Sequence, residues 1–161
     1  MSSIKRRKKG YLFNRKRYWY HVSTTLTKKK EKLIPWGTDK GFNRGGDEPE
    51  GKRICVAPSI EQCITAVPYA LSTEFTIYRT KDKVKAKQAE NIFDIYVTNE
   101  GWIQVPTEFV KIGILDFETV EQKMNVENVI PEAASRGHAH YSGKVLRWWE
   151  RARINRFIKS T

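Results

Sequence analysis

The chain has few cysteines and no long apolar run. Of its 161 residues, Cys55 and Cys63 alone are cysteines, too few for a disulfide scaffold and without the spacing of a zinc site. No stretch approaches the roughly 18 consecutive apolar residues of a transmembrane helix. The basic cluster Lys5–Lys9 is followed by Gly10 and further charge, not by the apolar core of a secretory signal. We therefore expect a cytoplasmic protein in a reducing compartment, or a nuclear one in a eukaryotic host, without a bound metal.

Acidic residues are scarce at both ends of the chain. Residues 1–32 hold twelve Lys and Arg against one acid, and residues 144–161 hold six against one; residues 33–143 hold twelve basic and sixteen acidic residues. Basic segments bind polyanions because they displace the counterions of the phosphate backbone. We expect a nucleic acid or a nucleoprotein complex as partner, although basic ends also serve solubility alone. The expected contacts are Lys5, Arg6, Arg7, Lys8, Lys9, Arg15, Lys16, Arg17, Arg147, Arg151 and Arg153.

The chain divides into a basic disordered tail over 1–16, a core domain over 17–118 and a C-terminal extension over 119–161. The propensity pattern predicts strands near residues 18–24, 53–57, 75–78, 92–97, 102–105 and 109–115. A charged, glycine-rich loop is predicted over 27–52. In the extension the pattern loosens until a last basic amphipathic helix, from about residue 142 to 158. Its adjacent Trp148 and Trp149 are expected to pack on the core.

One helix is predicted inside the core domain. Ser59 followed by Gln62 has the spacing of a capping box, which marks the start of a helix. Apolar residues then recur at helical spacing as far as Pro68, which ends or kinks the helix. Together with the strands, this favours an α+β fold. We expect a small antiparallel split β-sheet core with one main helix, plus the basic N-terminal tail and the C-terminal helix.

Five polar residues follow one another in an order that has a chemical meaning. His21 and Ser23 lie on the first strand, Ser59 and Tyr69 lie around the helix, and Glu100 precedes a late strand. This order resembles that of the ADP-ribosyltransferase-like fold of the His-Tyr-Glu kind. The resemblance covers about residues 18–116.

The resemblance implies NAD as cofactor and transfer of ADP-ribose to a nucleic acid or a nucleic-acid-bound protein. It implies that His21, with Ser23 and Ser59, binds the NAD ribose, and that Tyr69 stacks on the nicotinamide ring. It also implies that Glu100 is the catalytic carboxylate, with Glu108 as a rival. Cleavage of the glycosidic bond builds positive charge on the ribose, which a carboxylate stabilises best in a pocket with little water.

A second enzyme hypothesis starts from two His-x-Ser triplets. His21-Val22-Ser23 and His140-Tyr141-Ser142 resemble the paired motif of the 2H phosphoesterases. In that arrangement, two imidazoles flank a scissile phosphate as general base and general acid. His21 and His140 would then be the catalytic pair.

A third hypothesis needs no catalysis. Aromatic residues lie among basic ones near the N-terminus, as at Tyr18 and Trp19 beside Arg17, so that nucleic-acid bases stack between cationic side chains. A small basic chain poor in cysteine also looks like a phage accessory protein that inhibits host machinery. Purely structural roles stay open as well: His21 bonded to a backbone carbonyl, Tyr69 in the core, and Glu100 in a hairpin turn.

Overall fold

The computed structural model describes residues 12–38, 51–66, 74–90, 95–129 and 143–160. The strands are β1 (Tyr20–Ser23), β2 (Lys30–Leu33), β3 (Trp36–Thr38), β4 (Gly51–Val56), β5 (Glu74–Thr80), β6 (Lys87–Gln88), β7 (Gly101–Ile103), β8 (Thr107–Asp116) and β9 (Ile158–Lys159). The helices are α1 (Ile60–Thr65), α2 (Ile95–Thr98), α3 (Phe117–Val126) and α4 (Gly143–Ala152), with a 3-10 turn at Ile154–Phe157. The predicted α+β fold class is confirmed.

The strands form two antiparallel sheets. The first sheet has the order β1–β5–β8–β2, and the short β9 also pairs with β8. Because β5 occupies one edge of β8, both β2 and β9 pair with the other edge, at opposite ends of the strand. The second sheet has the order β3–β4–β7–β6. A backbone bridge between Tyr20 and Ala57 connects β1 to the end of β4.

An apolar core covers part of each face of the first sheet. On one face, Phe75 and Leu115 pack against helices α1, α3 and α4 in a helix-side core. On the other face, Tyr78 and Phe109 pack in an inter-sheet core whose partners from β4 and β7 are Ile54, Val56 and Ile103. The protein is therefore layered as helices, first sheet and second sheet.

Two of the predicted features are confirmed, the cap of α1 and the packing of the two tryptophans. Ser59 caps α1: its hydroxyl accepts a hydrogen bond from the backbone N–H of Gln62 at 3.2 Å and donates to the Gln62 side-chain oxygen at 2.9 Å. Trp148 and Trp149 of α4 are 5% and 0% exposed and belong to the helix-side core. However, α4 ends at Ala152, not near residue 158, because Arg153 takes a left-handed conformation with φ of 54°.

The predicted loop over 27–52 is wrong where the structure forms β2, β3 and the start of β4. Along β2, Lys30 and Lys32 are exposed, whereas Glu31 and Leu33 are half-buried. Since β2 is an edge strand, its outer positions face water and tolerate charge. The lysine-rich composition therefore concealed the strand.

The core domain also differs from prediction in two helices. The strand predicted over 92–97 is wrong at Ile95–Val97, which belong to α2. Helix α3 was not predicted: Asp116 caps it by accepting a hydrogen bond from the N–H of Glu118 at 3.1 Å. Its Val120 and Met124 are fully buried in the helix-side core. Residues of the predicted C-terminal extension thus supply part of the main core.

Candidate functional site

His21 lies on β1 opposite Tyr78, and its ring faces the inter-sheet core. Its Nδ1 lies 2.9 Å from the carbonyl oxygen of Cys55, and its ring centroid lies 5.9 Å from that of Phe109. A carbonyl can only accept, so Nδ1 carries the proton and Nε2 is the acceptor. Burial lowers the pKa of His21, while the hydrogen bond to Cys55 opposes this shift. The imidazole is therefore neutral at physiological pH.

Ser23 and Ser59 use their hydroxyl groups within the chain. The Ser23 oxygen accepts hydrogen bonds from the backbone N–H of Leu26 at 2.9 Å and of Thr25 at 3.2 Å, which closes the turn after β1. Ser59 caps α1 as described above. Both hydroxyl groups thus make hydrogen bonds that stabilise local backbone structure.

Glu100 lies immediately before β7, and its charge raises the pKa of two thiols. Burial raises the pKa of Cys55 well above its ordinary value, and the Glu100 carboxylate raises it further, while Arg53 lowers it. Burial and then the charge of Glu100 raise the pKa of Cys63 to about 12. Both thiols are thus protonated at neutral pH and are poor nucleophiles. His21 contacts a different group of Cys55, its backbone carbonyl.

Several predicted site residues lie outside the described residues: Lys5, Arg6, Arg7, Lys8, Lys9, Tyr69 and His140. The stacking role of Tyr69, the His21–His140 pair and the tail contacts stay predictions. In the described part of the chain, no group of three or more His, Cys, Asp or Glu side chains is arranged to hold a metal ion.

An aromatic ring with two cations lies beside β1. The half-buried Tyr18 has the guanidinium carbon of Arg79 at 4.2 Å from its ring centroid and the ammonium nitrogen of Lys83 at 5.6 Å. Both distances are within the range of cation–π contacts. We call Tyr18, Arg79 and Lys83 the Tyr18 cluster. The neighbouring Trp19 points the other way and is completely buried.

Further cations share the sheet face of the Tyr18 cluster. Arg79 lies opposite Val110 on β8, and Val110 lies opposite Lys30 on β2. Side chains directly opposite on adjacent strands project from the same face, so Arg79 and Lys30 share a face about 10 Å apart. In the next row Lys32 lies opposite Glu108, whose carboxylate is bound by Lys81 at 3.3 Å. The face therefore carries an excess of positive charge.

The basic residues predicted at the two ends occupy different environments. Arg15 and Lys16 are exposed, whereas Arg17 is half-buried and its guanidinium lies 5.5 Å from the Trp19 ring. Arg147 and Arg151 are exposed on α4 one turn apart, and Arg153 is exposed just after the helix. Arg15 and Lys16 thus lie on the segment that leads into the Tyr18 cluster. Arg147, Arg151 and Arg153 lie on α4 and directly after it.

Sequence reasoning missed the part of this surface that depends on strand pairing. This surface combines three separate segments, which are neighbours only because β1, β5, β8 and β2 adjoin. The segments carry Tyr18, then Lys30 and Lys32, and then Arg79 and Lys83. The alternation of Trp19 and Tyr18 was the available signal, since a buried Trp19 leaves Tyr18 on the outer side.

Within the described ranges, no helix combines the length and the apolar character needed to cross a membrane. Comparison with protein-family models, with curated proteins and with solved structures finds no significant match to this chain.

Proposed function

We propose that this protein binds nucleic acid, with the Tyr18 cluster at the centre of the contact surface. The observation that carries the proposal is the Tyr18 ring in cation–π contact with Arg79 and Lys83, on a sheet face that also bears Lys30. Phosphates pair with the cations, while a flat ring and a planar guanidinium offer stacking surfaces to bases. Charge of this kind supports affinity but carries no sequence preference.

The proposal is tested by removing the two cations without shortening the side chains. The double variant Arg79→Met/Lys83→Met is expected to bind a fluorescent oligonucleotide about tenfold more weakly, a loss of about 1.4 kcal/mol. Its affinity is also expected to fall less steeply between about 50 and 200 mM salt, because fewer counterions are released. Fluorescence anisotropy measures both quantities.

Lys123→Met is the matched control. Its ammonium nitrogen lies 5.3 Å from the Phe157 ring, so the substitution removes a cation from an aromatic ring elsewhere on the protein. We expect wild-type affinity for this variant. If the double variant instead kept wild-type affinity and salt dependence, the Tyr18 cluster would not be part of the interface.

A second candidate function is transfer of ADP-ribose from NAD to a nucleic acid or to a protein bound to it. It is favoured by two observations: His21 is held by the Cys55 carbonyl, and the charge of Glu100 raises the pKa of the Cys55 thiol. In this reaction the bond between the ribose carbon and nicotinamide breaks and nicotinamide leaves. The acceptor forms a bond to the same carbon and loses a proton. Of the residues assigned to NAD, Ser23 and Ser59 are engaged in their own turn and cap, and His21 Nδ1 is bonded to the Cys55 carbonyl.

Glu100→Gln tests the transferase candidate, because it keeps the shape of the side chain and removes the charge that stabilises the ribose cation. With adenine-labelled NAD and a cell lysate, we expect label transfer by the wild type and its loss in Glu100→Gln. Glu118→Gln, at an exposed carboxylate in the first turn of α3, is the control and is expected to stay active. Equal transfer by wild type and Glu100→Gln would exclude Glu100 as the catalytic carboxylate.

A further inference from the structure

Three large apolar side chains are exposed at one corner of the fold. Ile34, Trp36 and Val105 are 67%, 63% and 63% exposed, respectively. Leu33 is the last residue of β2 and lies opposite Thr107, so Ile34 leaves the ladder at the same end where Val105 approaches it. Trp36 follows two residues later at the start of β3. We call these three residues the Trp36 corner.

The position of Trp36 follows from the edge of the second sheet. β3 is the edge strand, and Trp36 lies opposite Arg53 of β4. Arg53 is 4% exposed, with its guanidinium 4.1 Å from the centre of the Trp102 ring. Trp102 lies opposite Cys55, in a neighbouring row. Arg53 thus lies between the buried Trp102 ring and the exposed indole of Trp36. Tryptophan is costly to expose, and an exposed one at a sheet edge suggests a ligand.

The charge around the Trp36 corner favours a polyanion over another apolar surface. Residues 28–36 contain four lysines and one acid, Glu31, which is half-buried. On the neighbouring strand the exposed Lys52 lies opposite Gly37, the residue after Trp36. The β2 lysines connect the corner to the Tyr18 cluster, since Lys30 shares a face with Arg79. A ligand that crosses this surface meets cations along its length and then a flat aromatic ring.

We infer that Trp36 is a stacking platform for an unpaired base, so that the protein prefers single-stranded nucleic acid. A single strand presents both its phosphates and the faces of its bases, whereas a duplex hides the faces inside the stack. The Trp36 corner supplies the ring and the β2 lysines supply the cations. This inference rests on the proposed nucleic-acid binding and adds the kind of nucleic acid.

Trp36→Ala and Trp36→Phe test the inference. The probes are a labelled single strand of about 16 nucleotides, a size that one single-strand-binding fold covers, and a duplex of the same length at the same salt. Trp36→Ala is expected to bind the single strand about tenfold more weakly and the duplex as the wild type does. Trp36→Phe retains a stacking ring and is expected to keep most of the single-strand affinity. Circular dichroism verifies that both variants are folded.

Tyr96→Ala is the matched control, because Tyr96 is 69% exposed on α2 and carries an aromatic ring outside the Trp36 corner. We expect no change in its affinity for either probe. Wild-type single-strand binding by Trp36→Ala, or equal losses for both probes, would overturn the stacking role. If that unchanged binding came with self-association that Trp36→Ala abolishes in sedimentation, the corner would be a contact between two copies. Failure of the wild type to bind either probe would overturn the proposed function itself.

Discussion

Alternation along residues 18–21 decides which side chains are available to a ligand. Trp19 is completely buried, and its indole N–H donates to the carbonyl oxygen of Val84 at 3.0 Å. His21, two residues further, faces the same inter-sheet core and is bonded to Cys55. Tyr18 lies on the opposite side, in contact with Arg79. Neighbouring residues of one aromatic segment therefore divide between core packing and the proposed interface.

The half-buried His21 makes the stability of the fold depend on pH in a defined direction. Its pKa is lowered below 6.5 in the folded protein, so the unfolded chain binds the proton more readily. The stability that His21 contributes to the fold is complete above pH 6.5 and is lost as the pH falls from there through the lowered pKa.

His21→Asn keeps a side-chain N–H for the Cys55 carbonyl and does not titrate. We expect the wild-type Tm to fall more than that of His21→Asn between about pH 8 and pH 5, as measured by circular dichroism. Parallel falls would show that His21 does not titrate in this range.

Local signals made the start of α1 predictable from the sequence, but they were misleading for α2. The start of α1 depends on Ser59 and Gln62, which lie three residues apart and satisfy each other. The strand prediction is wrong at Ile95–Val97 because Asn99 takes a left-handed conformation with φ of 48°, and its N–H bonds to the Ile95 carbonyl at 2.8 Å. That bond closes a helical turn over residues whose β-branched side chains favour strands.

Elements that depend on distant partners were not predictable. β9 is two residues long and exists because β8 provides a free edge at Ile114 and Leu115. Gly113 permits this approach, since a Cβ atom at that position would lie 2.5 Å from the carbonyl oxygen of Lys159. Neither Gly113 nor the C-terminal residues carry a local signal for this pairing. The end of the predicted last helix was therefore misplaced.

Across the whole molecule, charge was predictable from composition and its arrangement was not. The excess of Lys and Arg at the two ends indicated a polyanionic partner, and exposed Arg15, Arg147 and Arg151 agree with that surface charge. Tyr18 lies in a segment that was predicted as a strand, and Trp36 in one that was predicted as a loop. Their relation through β2 requires the sheet order. The transferase roles of His21 and Glu100, which rest on residue order, stay predictions.

The contribution of the N-terminal tail can be separated from that of the folded interface. The truncation must retain Phe13, because its ring stacks on Trp19 with the two ring centroids 5.6 Å apart. Removal of residues 1–10 deletes the five cations of Lys5–Lys9 and keeps this contact. On single-stranded probe, the slope of log affinity against log salt is expected to become shallower by at most about 3.5, from about 0.7 for each cation.

Removal of residues 1–4 is the control for this deletion, since it shortens the chain without removing a lysine or arginine. We expect it to leave both affinity and slope at wild-type values in salt titrations followed by anisotropy. A shallower slope only in the longer deletion would assign phosphate contacts to the tail, in addition to those of the Tyr18 cluster. If both deletions kept the wild-type slope, the tail would serve solubility alone, and the folded sheet face would account for all of the counterion release.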